Sequence, residues 1–192
     1  MEEEHIMTNL KPWFEKGMNQ YEYINSMQVH KENLLKVYNG FQLDEADKEL
    51  LHLLQEKELK AIILAADWCG DAMVNLPILM RIADEALLET RYLIRDENLE
   101  LMDQYLTNGK ARSIPIIIFV NKEFEEVGKW GPRSPEAQAV ADELKANIPD
   151  KDSPQYDAAF KAFIKSFTER ITTDEVLWRD IKNSIIATIK NA

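Results

Sequence analysis

Apolar residues change their spacing twice along this chain, and the changes divide it into three blocks. Up to about Glu58 the spacing is helical. Trp13, Phe14 and Met18 share one approximate face, and Leu34, Leu35 and Tyr38 share another. Asn39-Gly40 then stops the helix, because both residues tolerate the backbone turn that ends one. Asp44 follows as an N-cap, with Leu43 before it as a hydrophobic staple. Ala46, Leu50, Leu53 and Leu54 continue at helical spacing.

The middle block alternates between short continuous apolar runs and amphipathic stretches. Ala61 to Ala66 has the length of a buried strand. A helix follows, with Met73, Leu76, Leu79, Met80 and Ala83 facing inward. Arg91 to Arg95 is a second strand, and Asn98 to Tyr105 a short helix. Ile116 to Val120 and Phe124 to Trp130 form two further strands around a turn at Asn121-Lys122. A helix from about Pro135 to Asn147 ends the block. Strands that alternate with helices need crossover connections, so the sheet is partly parallel, with an antiparallel hairpin at its end. The fold class is α/β.

After Pro149 the pattern is helical again. Ser153-Pro154 supplies an N-cap and a first-turn proline. Phe160, Phe163, Phe167 and Ile171 form one stripe, and Val176, Ile181, Ile185 and Ile189 the next. Thr172 to Glu175 has capping-box spacing and restarts the helix between them. Both stripes suit packing on the middle block; a dimer seam is the other use for them.

Composition narrows the function. The chain has 192 residues, 45% of them hydrophobic and 30% charged, enough for one well-buried domain. The formal net charge is -11, which repels phosphate backbones, and Lys and Arg are scattered. Neither nucleic acid nor a membrane is therefore an expected partner. Met1 to His5 has no basic stretch, and no apolar run is long enough to span a bilayer. One cysteine permits no internal disulfide and no Cys-rich metal site. A cytoplasmic, reducing location fits that usage, and we expect neither a metal nor a bound cofactor.

The chemistry concentrates at Ala65 to Ala72, where a strand hands over to a helix. Cys69 there lies near unpaired backbone N–H groups and the positive end of a helix dipole, which favour thiolate. The carboxylate of Asp71 opposes them, and the net sign is open from sequence.

Asp67-Trp68-Cys69-Gly70-Asp71-Ala72 resembles the thioredoxin motif Trp-Cys-Gly-Pro-Cys. Pro77, Ile94-Arg95-Asp96, Ser113-Ile114-Pro115 and Gly131 match further family features in order, over about Lys60 to Asn147. The whole chain looks like the small thioredoxin-like proteins of bacteria. The resemblance implies a helical N-terminal extension over 1–58, a thioredoxin-like core over 59–148 and C-terminal helices over 149–192. It also implies that Pro115 is cis, that its loop faces Cys69, and that the Ile114 backbone meets a bound ligand. Trp68 would wall the thiol, Gly70 and Asp71 would belong to the binding surface, and Gly131 would leave room for a substrate chain.

Two departures limit that inheritance. Ala72 stands where the family has its second cysteine, so no intramolecular thiol can resolve a mixed disulfide. Ile63 stands at the position of the family's buried acid. One reading is then a monothiol oxidoreductase or redox sensor using Cys69, with a protein or small-molecule thiol or disulfide as partner and a low-molecular-weight thiol as co-substrate. The other is a non-catalytic binding module that holds a peptide or protein beside the cis-Pro loop. His5, His30 and His52 have no metal-binding spacing, and His52 reads as a surface or boundary residue. Asp67 and Asp71 read as an exposed rim and a helix-start charge. Gly128 to Gly131 lacks the strand-loop-helix setting of a phosphate loop.

Overall fold

The computed structural model describes residues 9–192; the acidic Met1 to His5 stretch lies outside them. Four strands form one sheet in the order β2-β1-β3-β4. β1 (Lys60–Ala65) pairs in parallel with β2 (Glu89–Ile94) and antiparallel with β3 (Ile116–Val120). β4 (Glu126–Trp130) continues antiparallel from β3. Both faces of the two central strands are covered, so β1 and β3 read as unbroken apolar runs rather than alternating ones.

Helices come in chain order as α1 (Lys11–Lys16), α2 (Gln20–Ser26), α3 (Lys31–Gly40) and α4 (Glu45–Leu54) before the sheet. Helix α5 (Ala72–Ala86) is the crossover from β1 to β2, and α6 (Leu99–Met102) follows β2. The last three are α7 (Pro135–Lys145), α8 (Tyr156–Ile171) and α9 (Glu175–Asn191). No described helix is long and apolar enough to cross a membrane.

Helix α5 is the pivot of the packing. It carries the five expected inward residues, and Val74, Ile78 and Ile82 are buried as well. Its outer side is covered by α3, α4 and α9, so helices from both ends of the chain converge on it. A buried ion pair fastens the two ends together: Lys182 Nζ of α9 donates to both Asp47 carboxylate oxygens of α4, at 2.7 and 2.8 Å. Asp47 also closes a capping box with the N-cap Asp44.

Several expectations shift in detail. Met18 is not on a helical face: α1 ends at Lys16, and Met18 forms an antiparallel bridge to Tyr92 on the outer edge of β2. In α4 the buried leucine is Leu51, and Leu53 points to solvent. The helix expected over 98–105 is a single turn. Helix α8 begins at Tyr156, because the Ser153 hydroxyl accepts from the Gln155 N–H and closes a turn there instead of capping. The cap of α9 is Asp174, which accepts from the Leu177 N–H. Thr172 is the C-cap of α8, and its hydroxyl donates to the Thr168 carbonyl. Phe160 and Val176 leave their stripes for the surface, and Leu177 and Trp178 enter the core.

Candidate functional site

The strand-to-helix turn holds Cys69 by its backbone. Its N–H donates to the Ala66 carbonyl at 3.2 Å, and its own carbonyl accepts from Met73 N–H at 3.3 Å. The side chain points across to the loop before β3, where Sγ donates to the Ile114 carbonyl at 3.4 Å. The Ile114–Pro115 peptide bond is cis. The thiol is 7% exposed. Burial first, and the Asp71 carboxylate second, push its pKa up to about 11, outweighing the Ala72 and Asp71 backbone N–H groups and the Arg133 charge. The competition left open by the sequence thus resolves toward the protonated thiol.

Asp71 stands at the N-cap position of α5, yet its side chain caps nothing. Both its oxygens accept from Arg133, at 2.7 and 2.8 Å. The Arg133 guanidinium lies 5.6 Å from the Phe167 ring centroid, and the same ring sits over Gly70. Helix α8 therefore roofs the turn. Trp68 is half exposed on the other side, with the Arg95 guanidinium 4.7 Å from its ring centroid. Asp67 is not a free rim charge: its Oδ2 accepts from the Gln28 and Val29 N–H groups at 2.8 and 3.1 Å, tying the α2–α3 connection to the turn.

Beside Cys69 opens a cleft of about 460 Å³. Trp68, Cys69, Asp71 and Ile114 line it together, with Arg133 and Lys145. Gly70, Pro115 and Gly131 do not. Gly70 is covered by Phe167, and Gly131 lines a separate small cleft with Tyr105 and Trp130. The side of Gly131 that a Cβ would occupy is taken by the Pro115 carbonyl. The φ of Gly131 is +122°, and a Cβ there would lie 2.1 Å from the Pro115 carbonyl oxygen.

Ile63 is fully buried and stands opposite Tyr92 in the β1–β2 register. Tyr92 stacks on Tyr23 of α2 at 4.8 Å, and the buried Tyr23 hydroxyl has no hydrogen-bond partner among the described residues. Burial, helped by the charge of Asp67, holds that phenol well above the usual tyrosine range. An apolar strand residue and stacked phenols thus occupy this part of the core.

Sequence reasoning missed Arg133, Arg95 and Tyr23. Arg133 had a local signal, since it follows the Gly131-Pro132 corner directly. Tyr23 and Phe167 had none, because they arrive from helices distant along the chain. Of the histidines, His52 is exposed and pairs with Glu85, and His5 lies outside the described residues. No group of His, Cys, Asp or Glu among the described residues is placed to hold a metal ion.

A four-stranded mixed sheet, a crossover helix and one cysteine at the turn between them, facing the loop before β3, define a thioredoxin-fold protein. A family model described as thioredoxin matches residues 17–145, and the chain belongs to the thioredoxin family. That match begins upstream of the motif and takes in α2, α3 and α4. Among solved structures, a Pseudomonas aeruginosa protein of unknown function is 18% identical, with 96% of this chain and 98% of that one covered and a TM-score of 0.66. An HIV epitope-scaffold is 14% identical over 96% of this chain and 99% of that one, with a TM-score of 0.68. These likenesses show the fold, terminal helices included. No curated protein gives a significant match.

Proposed function

We propose that the protein carries out monothiol thiol–disulfide exchange through Cys69. The observation that carries this reading is the placement of Sγ: on the lining of a cleft, 3.4 Å from the Ile114 carbonyl of the facing loop. In the first step Sγ, as thiolate, attacks one sulfur of a disulfide. The new bond joins Sγ to that sulfur, and the other half leaves as a thiolate and takes up the proton Cys69 gave to solvent. Ala72 offers no second thiol, so a small external thiol attacks the mixed disulfide, releases Cys69 and forms the product disulfide. In sum, the original disulfide and one external thiol give one released thiol and one new disulfide, and the protein ends unchanged. The partner is a protein or small-molecule thiol or disulfide, nucleic acid and membrane have no part, and the reducing cytoplasm is the fitting compartment.

Incubation with bis(2-hydroxyethyl) disulfide tests this. A single mercaptoethanol adduct on the wild type, absent from Cys69→Ser, is the expected mass spectrum. An unmodified wild type would sink the reading. In that event the second reading, a non-catalytic module holding a peptide or protein, takes its place. The burial and raised pKa of the thiol favour it.

A further inference from the structure

The cleft over Cys69 has a charge opposite to that of the chain. Acidic residues outnumber basic ones 34 to 23 overall, yet the lining carries Arg95, Arg112, Arg133 and Lys145 against one carboxylate, Asp71. Asp71 is itself neutralised by Arg133. Arg112 is clamped by both oxygens of Asp103 at 2.7 and 3.0 Å, and Arg95 by Asp96 and the Arg112 carbonyl. The guanidiniums are thus fixed in place, and Lys145 is the lining cation with no carboxylate partner among the described residues. Beyond about 8 Å the surrounding acidity is screened at physiological salt, and each lining guanidinium is balanced by its own carboxylate, so the unbalanced charge at the cleft is that of Lys145.

Size points the same way. A cleft of about 460 Å³ is of the size that holds a small molecule. Pro115 and Gly131 do not line it, and neither does Gly70, which lies against the Phe167 ring.

We propose that the disulfide exchanged at Cys69 is a small molecule bearing carboxylate groups, received by Lys145 and the arginine-lined walls of this cleft. The proposal rests on the exchange reading above and names its substrate class. The carboxylate replaces water on the Lys145 ammonium while the disulfide sulfur approaches Sγ. Attack then places the anionic half on Cys69 and releases the other half as a thiolate, which is protonated.

The test uses the full chain and three small disulfides: 3,3′-dithiodipropionate, bis(2-hydroxyethyl) disulfide and cystamine, which are anionic, neutral and cationic. Each rate of adduct formation is divided by that of the neutral thiol N-acetylcysteine amide with the same reagent, which removes leaving-group differences. The expected order is anionic, neutral, cationic, with a preference of about fivefold for anionic over neutral, what one good exposed ion pair supplies. That preference shrinks in high salt and in Lys145→Gln. Adducts that form without the anionic preference, or with one that Lys145→Gln leaves intact, overturn this proposal and leave the exchange reading standing. Absence of an adduct with all three reagents overturns both.

Discussion

Asp71 and Arg133 meet fork to fork, Oδ1 to Nε at 2.7 Å and Oδ2 to Nη2 at 2.8 Å, two positions after the cysteine. The pair is mostly buried, at 14 and 15% exposure. The guanidinium therefore cancels the charge that most directly opposes a Cys69 thiolate. Arg133→Gln uncovers that charge, and the Cys69 pKa rises further. The cost in stability lies between that of an exposed and a buried pair, about 1–3 kcal/mol. Alkylation rate against pH reads the first effect and urea unfolding the second. Asp71→Asn in the same chain brings the pKa back down. An Arg133→Gln variant with an unshifted thiol would remove Arg133 from the site.

Cys69 titrates late. Its pKa is pushed from 9.0 to about 11, so the folded state holds a proton that the unfolded state has lost across that window. The Cys69 contribution to stability therefore falls as pH rises from about 9 to about 11, by roughly 2–3 kcal/mol. Cys69→Ala lacks this loss. Adduct formation moves the opposite way, climbing with pH well after a free cysteine has levelled off. Denaturant titrations and alkylation rates at matched pH measure the two slopes.

Two glycines near the site differ in what they tolerate. Gly131→Ala drives a Cβ into the Pro115 carbonyl at positive φ, and loses about 3 kcal/mol or more. Gly70→Ala meets the Phe167 ring at 3.7 Å and the Met73 methyl at 3.9 Å, both ordinary contacts, and stays within about 1 kcal/mol of the parent. Thermal unfolding separates them.

Lys182 and Asp47 join the chain's two helical ends inside the protein. Lys182→Ala leaves the Asp47 carboxylate without its cation and costs about 3 kcal/mol or more. Lys182→Met with Asp47→Leu recovers part of that, though the capping box is lost with Asp47. Additivity of the two changes in a double-mutant cycle would mean the pair is uncoupled.

The parts of this structure written locally were legible in the sequence. The apolar runs of β1 and β3, the Asp44 cap and the cysteine turn each rest on neighbours a few positions apart. The periodicity of α5 gave its inward face but not its burial on the other side, because α3, α4 and α9 supply that cover from far along the chain. The site divides in the same way. Cys69 and Ile114 meet as the motif implied, whereas Arg133, Tyr23 and Phe167 reach it through tertiary packing. The resemblance gave Gly131 only as room for a substrate chain, and the sequence could not say that the Pro115 carbonyl stands where its Cβ would be. The two aspartates flanking the cysteine read as an exposed rim and a helix-start charge. Each in fact answers to a different partner: Asp67 to backbone N–H groups at Gln28 and Val29, Asp71 to a guanidinium.

The bridge between Met18 and Tyr92 bears on self-association. Their backbones exchange two hydrogen bonds, at 2.9 and 2.8 Å, along the outside of β2. An incoming strand would need those same groups, so that flank of the sheet is blocked against templated stacking. The vulnerable flank is β4, the terminal strand at the other side. Domain swapping or fibre growth in a destabilised variant would begin there.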